Sequence, residues 1–181
     1  MCVLCEGGTE DDLFFGQMLK IASKGFTVMA ILGEPTWAYT IGLMQSFDHP
    51  ELVVSNLPEC CVSSILVPLT DRIRGGELFD ESSPPVALKW GTIRFGPVHH
   101  QQWDKGRLDS WLRYYRALGG EPPFERALQV VWADEGGRFP DDPDFVGDQE
   151  LYDTAPRHNV NTGMNRRDRR RAKYGHGKLR P

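Results

Sequence analysis

The chain has no run of about 18 consecutive apolar residues, the length that a membrane-spanning helix needs. Its longest candidates, Phe26 to Leu32 and Cys60 to Leu69, are too short. No membrane partner is expected. Nor do the first residues form a basic segment followed by an apolar stretch and a cleavage site, because Glu6, Glu10, Asp11 and Asp12 arrive almost at once. A cytoplasmic location with reduced thiols is the expectation. Cysteine is scarce, four in 181 residues, and falls as Cys2, Cys5 and the adjacent pair Cys60 and Cys61. Neighbouring side chains diverge, so Cys60 and Cys61 make a poor second half of a four-ligand zinc site. Cys2 and Cys5 are weak metal candidates, joined by a histidine such as His49, or a redox pair; the plainer reading is a tether with ordinary thiols. Also missing are a phosphate loop, a Gly-x-Gly-x-x-Gly turn, a Gly-x-Ser-x-Gly elbow and a His-Glu-x-x-His helix. Nucleotide hydrolases, dehydrogenases, esterases and zinc proteases of the common kinds lose their support.

What is present describes one globular domain: 40% hydrophobic and 25% charged residues, with a net charge of -4. Fibrous, mucin-like and wholly disordered readings are excluded. The small net charge hides a division. Residues 1–155 carry 12 Lys/Arg against 24 Asp/Glu, a net -12, whereas residues 156–181 carry nine against one, a net +8. The last 26 residues have almost nothing large and apolar to bury, so they read as a flexible, disordered basic tail beyond a boundary near Pro156. Within it Arg166, Arg167, Arg169, Arg170, Arg171 and Lys173 form a patch suited to nucleic-acid phosphates by counterion release. The same patch would also serve as a solubilising or self-neutralising tail.

Thr9 has the character of an N-cap, followed by acidic residues and an approximately helical apolar spacing that Gly25 closes, which predicts a helix over Glu10 to Lys24. Phe26 to Leu32 and Trp37 to Leu43 read as a hairpin, and Glu51 to Ser55 as a third strand. Val62, Ile65, Leu66, Leu69 and Ile73 give a second helix that Pro68 should kink or interrupt. Val86 to Trp90 and Thr92 to Val98 predict two strands about Gly91. Leu108 to Leu118 predicts an amphipathic helix, and Leu128 to Trp132 a last strand. The fold class is α+β: a largely antiparallel sheet of about five to six strands with three helices.

Polar groups stand where an idle hairpin would not demand them: Tyr39 and Thr40 in an apolar strand, then Asp48, His49 and Glu51 after the following strand end. A His-Pro-Glu corner suits an acid/base pair or part of a metal site, and equally a turn that fixes strand entry. His99 and His100 follow the Thr92 to Val98 strand, and adjacent histidines in a strand point to opposite faces, so one at most enters a given cleft; two exposed histidines are the plainer reading. Asp134 fits a general base, and as readily a turn residue before Gly136 and Gly137.

Pro35-Thr36-Trp37-Ala38-Tyr39-Thr40-Ile41-Gly42-Leu43, then His49-Pro50-Glu51-Leu52-Val53-Val54 with Leu57-Pro58, and downstream Leu128-Gln129-Val130-Val131-Trp132-Ala133-Asp134 with Gly137-Arg138-Phe139-Pro140, resemble the bacterial and phage family called domain of unknown function 4262. The likeness spans about residues 1 to 145 and leaves out the tail. It implies no activity, cofactor or catalytic residue. It does put Tyr39, Thr40, Gly42, His49, Glu51, Gln129, Trp132 and Asp134 on motif positions. Ala133 departs from the family's pattern, where many members have proline, and this predicts a less rigid strand exit.

If the two motif blocks are sheet neighbours, Tyr39, Thr40, His49, Glu51, Gln129 and Trp132 would line one aromatic and polar cleft. The leading expectation is a binding module that holds a small polar ligand or a protein segment there, with the tail attaching nucleic acid or an acidic partner. The alternatives are a metal-assisted or His/carboxylate hydrolase, with His49 or His99 as base oriented by Glu51 or Asp134 and a water or Cys-bound metal supplying the nucleophile, and a nucleic-acid or ribosome-associated protein acting through the tail. In the last, the body is a docking platform or a homodimer.

Overall fold

The structure is a computed structural model that describes residues 7–31, 36–57, 59–102, 108–120 and 126–153. Helix α1 (Glu10–Lys24) begins at Thr9 with a reciprocal capping box to Asp12 and ends at Gly25 in the left-handed conformation. Strands β1 (Thr27–Ile31) and β2 (Trp37–Ile41) pair antiparallel, and a short helix α2 (Leu43–Phe47) leads to β3 (Glu51–Ser55). Helix α3 (Glu59–Arg74), strands β4 (Val86–Ala87) and β5 (Thr92–Pro97), a 3-10 turn at His100–Gln102, helix α4 (Asp109–Ala117) and strand β6 (Ala127–Trp132) complete the order. The six strands form one sheet in the order β1-β2-β3-β6-β5-β4. Every neighbouring pair is antiparallel except β3 and β6, which run parallel. The α+β class and the mainly antiparallel sheet follow the sequence reading.

Side-chain alternation divides the sheet between two cores. Leu52 and Val54 of β3 and Leu128, Val130 and Trp132 of β6 join Ile65, Leu66, Leu69 and Ile73 of α3 on one face. Tyr39, Ile41, Val53 and Ala127 face the opposite way and meet Ile21 of α1 and Trp111, Tyr114 and Tyr115 of α4. With both faces covered, β3 and β6 are buried along their whole lengths.

Three elements depart from expectation. Strand β2 stops at Ile41 rather than Leu43, because Gly42 turns into the left-handed region (φ 107°) and its N–H leaves the ladder for the Glu51 side chain. The chain then coils as α2, a fourth α-helix that the sequence reading lacked. Pro68 lies inside α3 without ending it: burial of Ile65, Leu66 and Leu69 around it holds the helical path. The strand expected over Val86 to Trp90 is two residues long, since Leu88 and Gly91 exchange backbone hydrogen bonds in a turn.

Gly42 is required at its position twice over. A Cβ there would come within 2.7 Å of the Gly25 carbonyl oxygen and 2.9 Å of Ile21 Cγ2, on a backbone that L-residues rarely adopt. We expect Gly42→Ala to destabilise the fold by about 2 to 4 kcal/mol, measured as a lowered denaturant midpoint at unchanged m-value.

Candidate functional site

Glu51 opens β3 and is 2% exposed. Its carboxyl fills the space left where β2 peels away. Thr40 Oγ1 donates to Oε2 at 2.6 Å, while the Gly42 and Met44 amides (2.7 and 3.4 Å) and the Tyr115 hydroxyl (2.7 Å) donate to Oε1. Thr40 Oγ1 itself accepts the Leu52 N–H at 2.8 Å, so the hydroxyl stands in for a missing ladder carbonyl. Burial pushes the carboxyl up from its ordinary value, and the donors from Thr40, Tyr115, Gly42 and Met44 pull it back. Burial, followed by the neighbouring Glu51 charge, drives the Tyr115 phenol upward and keeps it a proton donor. The arrangement meets the carboxyl with four donors and leaves it 2% exposed, with no route to a substrate.

His49 is fully buried and equally committed. Its Nε2 accepts the Phe79 amide at 3.0 Å, which fixes the proton on Nδ1, and Nδ1 donates to the Pro50 carbonyl at 2.6 Å. The Phe79 ring meets the imidazole edge-on at 5.8 Å. Burial lowers the imidazole pKa from 6.5, helped by the Arg126 charge, so the neutral ring is the native form. This is the turn-fixing role of the His-Pro-Glu corner.

Gln129 and Trp132 of β6 hold the chain itself. Beyond Val53 and Gln129 the parallel strands part, and residues 149–152 lie at the opening as a strap. Gln129 Nε2 donates to the Glu150 carbonyl (2.7 Å) and to Ser55 Oγ (3.2 Å), while its Oε1 accepts the Tyr152 amide (2.7 Å). In return the Gln149 side chain accepts the Trp132 N–H and donates to the Val130 carbonyl, both at 3.1 Å. Each glutamine amide thus reads the other segment's backbone as a neighbouring strand would. Ser55 Oγ also donates to the Glu150 carbonyl, Trp132 Nε1 donates to the Ser55 carbonyl, and the His99 amide closes the strap on the Tyr152 carbonyl.

The expected residues therefore do not line one cleft. Tyr39 (2% exposed) and Trp132 (9%) are buried on opposite faces of the sheet. Burial raises the Tyr39 phenol to about 12, against a hydrogen bond with Ser110. Thr40 and Glu51 do meet; His49 turns instead to Phe79. Asp134 accepts the amides of Arg138 and Val146 and the Arg138 guanidinium, all at 2.9 Å, and those bonds hold its carboxyl down at about 2. The rings of His99 and His100 lie 4.3 Å apart, so they share a side rather than facing apart: β5 ends at Pro97, and His100 already opens the 3-10 turn. Among the described residues no group of three or more His, Cys, Asp or Glu side chains is placed to hold a metal. Cys2 and Cys5, and the tail residues Arg166, Arg167, Arg169, Arg170, Arg171 and Lys173, lie outside the described residues.

The open concavities lie elsewhere. One of about 360 Å³ is lined by Arg72, Glu77, Leu78, Phe79, Pro85 and Val86. Another of about 340 Å³ lies between Trp90, Thr92, Ala133, Asp134 and Glu135.

With this geometry in hand, comparison with known proteins gives one match: the model of Domain of unknown function (DUF4262) covers residues 20–146. The chain belongs to that family. No curated protein and no solved structure matches it. The DUF4262 match ends at residue 146, just before the strap, so Gln149 and Tyr152 are features of this chain outside the matched span.

Sequence reasoning missed Tyr115, Phe79, Gln149 and Tyr152. Tyr115 was indistinguishable from a core residue of an amphipathic helix. A usable signal for the strap existed in Leu151 and Tyr152, a large apolar pair in a stretch otherwise rich in aspartate, proline and glycine.

Two outcomes follow. Protonating His49 would abolish its acceptance from Phe79, so its contribution to stability is fully present above pH 6.5 and is lost as pH falls from there towards its lowered native pKa. The raised Glu51 carboxyl has the opposite sign, stabilising most below 4.5 and losing that contribution as pH rises through its native pKa. Subtracting the stability profile of His49→Gln from that of the wild type, by urea titration below pH 6.5, isolates the imidazole and should leave a difference that shrinks as the solution is acidified. Separately, Gln129→Ala strands the Tyr152 amide and leaves the Glu150 carbonyl with Ser55 Oγ as its donor, and should cost about 2 to 3 kcal/mol, with hydrogen exchange at Tyr152 accelerated more than in α3.

Proposed function

We propose that this protein is a non-catalytic binding module of the cytoplasm, an acidic body that presents the basic segment 156–181 to nucleic acid. The observation that carries the reading is the engagement of its chemistry-bearing side chains. His49, Glu51 and Asp134 each spend their hydrogen-bonding capacity on the fold's own backbone or side chains. A general base must be able to reach a proton on the substrate, and Glu51 and His49 are 2% and 0% exposed. The hydrolase alternative thereby loses His49 as its base and Glu51 and Asp134 as the carboxylates to orient one. The strap gives the basic segment a firm root: Tyr152 is buried and both glutamine clamps act within four residues of Asp153. The charge division supplies the target, since nine Lys/Arg against one Asp suit a phosphate backbone, and the net -12 of residues 1–155 keeps the body off it.

A second reading rests on the 340 Å³ concavity. Trp90 offers a partly exposed aromatic wall beside Thr92 and the exposed Glu135, the composition of a small polar-ligand site. An acidic protein as the target of the basic segment is the outcome to set against nucleic acid.

The decisive experiment measures affinity for a labelled single-stranded RNA and a DNA duplex across salt, for the full chain and for a chain ending at Ala155. Binding by the full chain with a log-log salt slope of about -4 to -8, lost on truncation, supports the reading. Equal binding by both chains, or none by the full chain, overturns it.

A further inference from the structure

The two edges of the sheet are defended very differently. The edge formed by β4 is two residues long, is preceded by Pro84 and Pro85, and is followed by an exposed Lys89. Short length, proline and lysine are the usual means of keeping a sheet edge from pairing. At the other edge β1 runs for five residues, Thr-Val-Met-Ala-Ile, with no charge, proline or glycine.

The ladder fixes which groups of β1 face outward. Thr36 O accepts from Asn56, so the even positions of β2 turn towards β3 and the odd ones towards β1. The pairs Thr27–Ile41, Met29–Tyr39 and Ile31–Trp37 are therefore the hydrogen-bonded ones, and the N–H and C=O groups of Val28 and Ala30 point away from the sheet. Among the described residues nothing pairs with them. The side chains flanking this edge are apolar on both faces: Val28 packs partly into the α3-side core, Met29 and Ile31 into the other.

We propose that this edge is the interface of a homodimer, in which β1 pairs antiparallel with β1 of a second copy about a twofold axis through Met29. In that register Val28 of each copy opposes Ala30 of the other, and all four outward-facing pairs of N–H and C=O groups are satisfied at once. The edge is self-complementary, and no like charges meet across it. The occupant is a second copy because, among the described residues, β1 is the one edge left undefended and its outward groups match their own twofold image. Pairing β1 to β1 closes after two chains and extends the sheet to twelve strands, whereas a β1-to-β4 contact would propagate without end and is blocked by the two prolines and the shortness of β4. A neutral, undefended five-residue edge is retained where a native partner covers it.

Sedimentation velocity of the full chain over a range of concentrations, in high salt so that the basic segment contributes no charge-driven association, provides the test. Ala30→Pro deletes an outward N–H without touching the β2 ladder, and Ala30→Lys places a charge at an exposed position of the same edge. The expected result is a reversible dimer whose Kd rises about thirtyfold in Ala30→Pro, the loss of two ordinary hydrogen bonds, and rises also in Ala30→Lys, with unchanged circular dichroism in the lysine variant should the proline variant fold poorly. Hydrogen exchange at Val28 and Ala30 should slow as protein concentration rises. A full chain that stays monomeric through the millimolar range overturns the proposal. So does a dimer that survives Ala30→Lys intact with no concentration-dependent protection at Val28 and Ala30.

Discussion

The carboxyl of Glu51 is the junction on which this fold turns. A carboxylate sealed from water is tolerated only where donors replace its hydration, and here they come from four separate stretches: the Thr40 hydroxyl in β2, the Gly42 amide at the turn, the Met44 amide at the start of α2 and the Tyr115 hydroxyl on α4. No cation takes part among them. The bonds dictate where β2 ends, why Gly42 must be glycine, how α2 begins and how α4 lies over the sheet. His49, two residues earlier, extends the junction to the opposite face by capturing Phe79. The motif that looks most like chemistry on paper is the one that assembles the layers.

The second constraint comes from the single parallel pair. In open sheets ligands favour the crevice beyond the carboxyl ends of parallel strands, where neighbouring connections diverge. The chain fills that crevice with its own residues 149–152, and the fit is reciprocal: Gln129 supplies a donor and an acceptor to the strap, and Gln149 supplies the same to β6. Tyr152 then buries its ring in the α4-side core. Among the described residues, the surfaces left open beside this crevice include the β1 edge and the concavities of about 360 and 340 Å³.

How much of this was legible in the sequence follows the range of the interaction involved. The Thr9 cap and Gly25 closure fix α1 within a few residues of chain, and its limits were read to the residue. Periodicity located β3, β6, α3 and α4 with small errors at their ends, and the fold class with them. Helix α2 was lost because its cause, the Gly42 amide turning to Glu51, joins residues nine apart in a segment whose apolar pattern continues a strand. The partners of the motif residues were beyond reach for the same reason: Tyr115 lies 64 residues from Glu51, Phe79 30 from His49, and Gln149 17 from Trp132. Polar residues in an apolar strand were correctly singled out as unusual. Whether they face a ligand or another part of the chain is decided by contacts that composition and spacing do not encode.

Ala133 illustrates the point on the scale of one atom. The sequence reading set Ala133 against a proline; the alanine keeps an N–H, and that N–H donates to the Thr92 carbonyl at 2.9 Å. The expectation of a looser strand exit assumed that losing the proline ring only adds freedom. In fact the β5–β6 ladder gains one further rung, which a proline could not supply. Thr92 and Ala133 both line the 340 Å³ concavity beside Trp90. The alanine therefore replaces a restraint on one backbone torsion with a bond across two strands. That bond joins β5 to β6 within the wall of the concavity.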